Sequence, residues 1–318
     1  MRILIMAWLA AALAPAPPAA APTSPFERGV QAADRGDQAQ ATESFRQACD
    51  AGEARGCNEL GVIYDQGRGV AADPARAAPY YVRACDGGNG LACTNLGLLN
   101  EDGRGVPADP ARALSLYARA CDIGDAGGCN NLGLLYEHGR GVANDATRAA
   151  SFYTRACDRG EANGCTNLGV LYENGRGVAA DPPRAFQLYT RACASEIATA
   201  CANLGVLYET GRGVAADQAR AIQLYTNACD DGAPLACVNL GVIYQHGEGV
   251  PADPAHALRL YTEACEAGDA MGCNNLGVLY QDGIGVAADQ ARADDYANRA
   301  CLLDPTISPD CRPRPGGH

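Results

Sequence analysis

Sixteen cysteines give this sequence its densest potential for chemistry, and their spacing is regular. They fall as Cys49 and Cys57, Cys85 and Cys93, Cys121 and Cys129, Cys157 and Cys165, Cys193 and Cys201, Cys229 and Cys237, Cys265 and Cys273, and Cys301 and Cys311. The first members recur every 36 residues, and each partner follows eight residues later, or ten in the last pair. A structural zinc site would need Cys-x-x-Cys or closely spaced histidines, and a thiol redox centre would need Cys-x-x-Cys. Neither spacing occurs, and the only histidines are His138, His246, His256 and His318. An even count at fixed spacing, in a chain that opens with an export signal, reads as a disulfide framework.

Nucleophilic chemistry finds no constellation. Ser24, Ser44, Ser115, Ser151, Ser195 and Ser308 occupy unrelated positions, and none sits in Gly-x-Ser-x-Gly. All 25 basic residues are arginine, which removes Schiff-base chemistry, the phosphate-loop lysine and a Ser-x-x-Lys nucleophile. Recurrent Gly-x-Gly elements follow a helical pattern rather than a strand, so they read as helix stops and not as nucleotide loops. Cys-x-x-Cys-His is absent, no metal or cofactor is implied, and no catalytic residue is assigned. The 37 acidic residues leave a formal charge of −12, which argues against non-specific nucleic-acid binding.

The N-terminus reads as a secretory signal over residues 1–21. Arg2 supplies a charge, Ile3 to Ala14 an apolar run, and Ala10 to Ala21 the small residues of a cleavage region. Residues 22–25 form a Pro/Ala-rich leader, 26–303 the repeats, and 304–318 a proline-rich tail. The apolar run falls short of the roughly 20 residues a spanning helix needs. The expectation is an exported, periplasmic or extracellular monomer without a membrane span. A lipid anchor is not expected, because no cysteine precedes Cys49.

A 36-residue period implies stacked units, each too small to bury its own apolar face. In the unit from Cys129 to Gly164, Cys129, Leu132, Gly133 and Tyr136 follow helical spacing and define a helix A, stopped at Gly139 and Gly141. Ala149, Phe152, Tyr153 and Ala156 repeat the spacing in a helix B, for which Asp145 is the expected N-cap. Asp73, Asp109, Asp181, Asp217, Asp253 and Asp289 stand at equivalent positions, four of them before a proline. Glycine recurs within helix A, as at Gly61 and Gly133, and a matching small residue, Ala77 or Ala149, is expected to face it from helix B. Residues 26–56 read as a shorter first hairpin, and Pro79 should kink its helix B or mark a locally distorted unit. Each cysteine pair should staple a helix B to the helix A that follows.

The motif A/G-C-x-N-L-G-x-L-Y-x-x-G-x-G-V, followed by D-x-x-R-A-x-x-x-Y-x-x-A-C, resembles the Sel-1-like repeat family, relatives of the tetratricopeptide repeat. With two cysteines per unit the chain is most similar to the secreted cysteine-rich branch, the Hcp β-lactamase family. The resemblance implies an all-α fold, a right-handed α/α superhelical solenoid with a concave binding surface. It implies a scaffold that binds protein or peptide, for instance in envelope complex assembly. The alternative it raises is β-lactam binding or hydrolysis.

Two surface series follow from that analogy. Asp65, Glu101, Glu137, Glu173 and Glu209 recur late in helix A beside Val62, Leu98, Leu134, Val170 and Val206. They would make either an acidic, partly apolar groove for an extended peptide or a basic segment, or a solvated row of charge near the helix ends. Asn95, Asn131, Asn167, Asn203, Asn239 and Asn275 would either offer amides to a peptide backbone or tie adjacent turns together. Arg76, Arg112, Arg148, Arg184, Arg220 and Arg292 are expected to pair locally with acids. Arg68, Arg104, Arg140, Arg176 and Arg212, in the A-to-B turns, read as exposed loop charges.

Overall fold

The expected capping aspartates do start helices. In a computed structural model that describes residues 24–308 and Cys311, the side chain of Asp109 accepts the Arg112 N–H at 2.9 Å. Asp73, Asp145, Asp181, Asp217, Asp253 and Asp289 accept in the same way from the residue three positions on. The expected signal peptide and all of the tail after residue 308 except Cys311 lie outside the described residues.

Sixteen helices and no strand occur among the described residues. Residues up to Gly87 form one unit, with α1 (Pro25–Asp34), α2 (Gln38–Asp50), α3 (Ala54–Gln66) and α4 (Pro74–Asp86). From Gly88 a second unit runs through α5 (Gly90–Asp102), α6 (Pro110–Ile123), α7 (Ala126–His138), α8 (Ala146–Asp158), α9 (Ala162–Asn174) and α10 (Pro182–Cys193). It continues through α11 (Ala198–Thr210), α12 (Gln218–Asp230), α13 (Pro234–His246), α14 (Pro254–Glu266), α15 (Ala270–Asp282) and α16 (Gln290–Leu303). Within each unit the odd-numbered helix packs on the even-numbered one that follows, and that one packs on the next odd one. This is an α/α solenoid. The odd, A-type helices also touch each other across a repeat, α5 with α7, α7 with α9, α11 with α13, and α13 with α15.

Helix A ends where Gly-x-Gly begins. Gly139, φ 68°, takes the left-handed conformation that only glycine adopts without strain. Gly141 serves a second purpose, since a Cβ there would lie 2.8 Å from the carbonyl of Pro110 at the start of α6. The turn is thereby pressed against the preceding repeat.

The core corrects one expectation. The glycine inside helix A does not face the helix B alanine; it seats a tyrosine. A Cβ on Gly133 would lie 2.5 Å from the Tyr153 ring, and Gly61, Gly97, Gly169, Gly205 and Gly241 meet Tyr81, Tyr117, Tyr189, Tyr225 and Tyr261 in the same way. From Tyr117 to Tyr261, these rings are at most 0% exposed. The helix cost of glycine, about 1 kcal/mol, is offset by burial of an aromatic ring. Gly277 is the exception, because Ala297 stands where the other repeats have tyrosine, and a Cβ there would meet nothing nearer than 3.3 Å. Pro79 lies inside α4, which continues on both sides of it. Pro79 and Ala75, the residue four positions earlier whose carbonyl loses its donor, are both exposed, so solvent can take the unpaired group.

Disulfides join Cys49 to Cys57, Cys121 to Cys129, Cys157 to Cys165, Cys193 to Cys201, Cys229 to Cys237, Cys265 to Cys273, and Cys301 to Cys311. Cys85 and Cys93 are disulfide-bonded as well. Apart from the last, each of the bridges named ties the end of a B-type helix to the first turn of the next A-type helix. No described helix is long and apolar enough to cross a membrane.

Candidate functional site

Helical periodicity leaves one stripe of each A-type helix uncovered, at positions i, i+4, i+7 and i+11. On α7 these are Gly127, Asn131, Leu134 and His138, all half-buried or exposed. The equivalent stripe carries Leu91, 51% exposed, on α5, Leu235, 44% exposed, on α13, and Met271 and Val278, 48% and 40% exposed, on α15. The aliphatic residues Leu98, Leu134, Val170 and Val206 are half-buried on this stripe, and Asn95, Asn131, Asn167 and Asn203 each lie three residues before one of them. Val62 stands on the matching stripe of α3, also half-buried.

The acidic series lies at the edge of that stripe, and its carboxylates already hold partners. Tyr117, Tyr153 and Tyr189 donate their hydroxyls to Oε2 of Glu101, Glu137 and Glu173 at 2.8, 2.6 and 2.9 Å. The other oxygen, Oε1, takes an arginine from the next repeat's turn: Arg140 on Glu101 at 2.6 Å, Arg176 on Glu137 at 2.7 Å, and Arg212 on Glu173 at 2.9 Å. These glutamate side chains are only 13%, 11% and 15% exposed. Tyr81 reaches Asp65 at 3.5 Å, a longer contact. Arg140, Arg176 and Arg212 are therefore inter-repeat ties and not the free loop charges expected. The two glycines that bracket each arginine set the turn that aims it back at the preceding helix A.

Burial, with the adjacent carboxylate adding to it, pushes the phenols of Tyr117, Tyr153, Tyr189 and Tyr225 well above their ordinary range. Tyr261 donates to the neutral Gln245 at 2.9 Å, and burial pushes it up to about 12, against a hydrogen bond from Asn275 that lowers it.

The asparagines join repeats as well. Asn167 on α9 donates to Asn130 on α7 at 3.0 Å, and Asn239 and Asn275 hydrogen-bond the hydroxyls of Tyr225 and Tyr261 in the preceding repeat. Arg76, Arg184 and Arg220 lie over the rings of Tyr64, Tyr172 and Tyr208 at 4.0, 4.7 and 5.3 Å, a cation–π arrangement absent from the sequence reading. Arg148 and Arg292 combine such a ring contact with the expected local acid, Asp145 and Asp289, each at 3.4 Å. Ser24 caps α1, Ser44 is buried, and Ser115 returns its hydroxyl to the Arg112 carbonyl at 2.8 Å.

The Sel1 repeat family model matches residues 54–89, 90–125, 126–161, 162–196, 198–232, 234–269 and 270–305. The chain belongs to the Sel1 repeat family. Among solved structures it is similar to a protective antigen of uropathogenic Escherichia coli with an SLR fold, at 28% identity and TM-score 0.70, covering 88% of this chain. It spans 61% of that antigen's length. A Sel1 repeat protein from Oxalobacter formigenes matches at 26% identity and TM-score 0.70, covering 76% of this chain and 97% of its own. Cysteine-rich protein B of Helicobacter pylori is 30% identical over 41% of this chain and 93% of its own, with a TM-score of 0.34. No curated protein matches the chain.

Proposed function

We propose that this chain is an exported interaction scaffold that binds an extended segment of another protein along the uncovered stripe of its A-type helices. The observation that carries this reading is the row of exposed aliphatic side chains, Leu91, Leu235, Met271 and Val278, on a stripe that also presents amides. Single exposed apolar residues are ordinary, but three of them on one face of the neighbouring helices α13 and α15 make a surface suited to a partner. Bridges throughout the repeats favour a non-reducing compartment, such as the cell envelope or the outside of the cell. The groove role of Glu101, Glu137 and Glu173 is reduced in this reading, since their oxygens are engaged within the repeat array.

The test is site-specific photo-cross-linking of the oxidised protein in an envelope extract, with the cross-linker at position 271 or, as control, at the exposed position 147 on α8. A discrete adduct is expected from 271 alone, and Leu235→Ser with Val278→Ser should abolish it. Equal labelling from both positions would count against the stripe. For the β-lactam reading raised by the resemblance, chromogenic cephalosporin turnover is expected not to exceed that of a purification-matched control.

A further inference from the structure

The glutamate–arginine ties stop at one repeat, and the way they stop points to a ligand. Counting 39 residues on from Glu101, Glu137 and Glu173 gives Arg140, Arg176 and Arg212; from Glu209 it gives Glu248. The turn around Glu248 is otherwise the same, with Gly247 at φ 76° and Gly249 at φ 78°. Tyr225 still donates to Oε2 of Glu209 at 2.7 Å, so the carboxylate is held in the same attitude. Among the described residues its Oε1, the oxygen that carries arginine in three other repeats, has no cationic partner. The electrostatics agree: an arginine lowers the phenols of Tyr117, Tyr153 and Tyr189, and none acts on Tyr225. One repeat further on, Gln245 and Ile284 make both positions neutral. Only the Glu209 repeat keeps the acid and reverses the sign of its partner position.

We infer that Oε1 of Glu209 receives a guanidinium from the bound partner, an arginine in an extended segment whose flanking aliphatic side chains lie along Val206 and Val242. Three observations choose this occupant. The same carboxylate geometry binds guanidinium three times within this molecule. The local charge is negative at both Glu209 and Glu248. One turn before the carboxylate, the half-buried Val206 on α11 and its equivalent Val242 on α13 offer aliphatic surface at the same level of the stripe. Arginine is favoured over lysine because its fork can divide its nitrogens between Oε1 and a backbone carbonyl, as Arg212 does on Glu173 at 2.9 and 3.1 Å. The inference rests on the stripe reading proposed above and specifies its chemistry.

The probe is the peptide acetyl-Val-Arg-Val amide, compared with its citrulline and lysine counterparts, titrated into the full oxidised chain and followed by NMR. Arginine peptide is expected to bind most tightly, with affinity falling about tenfold in Glu209→Gln, in line with one charged hydrogen bond. Glu248→Arg installs the repeat's own arginine, so it should occlude the site by a similar factor while raising the melting temperature, which separates competition from misfolding. Equal binding of arginine and citrulline peptides, or unchanged binding in both variants, would overturn the assignment. Were Val242→Ser still to weaken every peptide, only the guanidinium assignment would fall; were it to weaken none, the stripe reading would fall with it.

Discussion

A hydroxyl at the tip of a buried ring must find an acceptor or destabilise the fold by several kcal/mol, and this chain supplies a carboxylate for most of its core tyrosines. Tyr153→Phe removes the donor to Glu137 and is expected to cost about 1–3 kcal/mol by denaturant melting. Adding Glu137→Gln should cost less than the two single effects summed, since both act on one network. The same groups set an alkaline limit. Unfolded tyrosines lose their proton near pH 10, whereas Tyr261 holds it to about 12 and the four carboxylate-bonded phenols hold it more strongly still. Between those values the unfolded state binds fewer protons than the folded one, so the phenols' contribution to stability is constant below about pH 10 and declines as pH rises above it. Thermal melts from pH 8 to 12, with tyrosinate absorbance read alongside, should show the buried phenols ionising only as the chain unfolds.

Helix boundaries were legible because they depend on local chemistry. Asp145 before a helical pattern and Gly139 after one act on backbone groups a few residues away, and both do so here. The role of Gly133 was not legible, because its partner lies 20 residues on, across the hairpin, and small residues on both helices made alanine an equally consistent partner. Nor was the tie from Glu137 to Arg176, which depends on how successive repeats rotate. One trace of it did lie in the sequence: acid and arginine occur together at 101 and 140, 137 and 176, and 173 and 212, and both are neutral at 245 and 284. The glycine argument makes a paired prediction. Gly133→Ala should destabilise by about 1–3 kcal/mol, because the added carbon overpacks the Tyr153 ring. Gly277→Ala, with no ring opposite but the Ala293 carbonyl oxygen at 3.3 Å, should change stability by no more than about 1 kcal/mol and cost less than Gly133→Ala. Chemical denaturation of the two variants side by side checks both, and equal losses would count against ring seating.

At the scale of the whole molecule, stability within each unit is distributed along packed neighbours that are chained covalently. The bridge period was the plainest signal in the sequence, whereas the partner-binding chemistry was hidden in one reversed charge. Closing an eight-residue loop contributes roughly 2.5 kcal/mol on the chain-entropy account, so reduction should lower the melting temperature substantially. Order of reduction follows access. Both halves of Cys193–Cys201 and of Cys301–Cys311 are partly exposed, whereas both halves of Cys121–Cys129, Cys157–Cys165 and Cys265–Cys273 are buried. Timed alkylation under mild reductant should therefore label Cys193, Cys201, Cys301 and Cys311 first. The staples also govern how the molecule behaves under tension. If the oxidised array is pulled from its ends, each bridged loop is withheld, and only the 28 residues from Cys129 to Cys157, or their equivalents, can pay out per repeat. That limits each step to about 100 Å of slack at full extension, so the chain would yield as a series of short, equal, recoverable lengths, a tether with built-in stops.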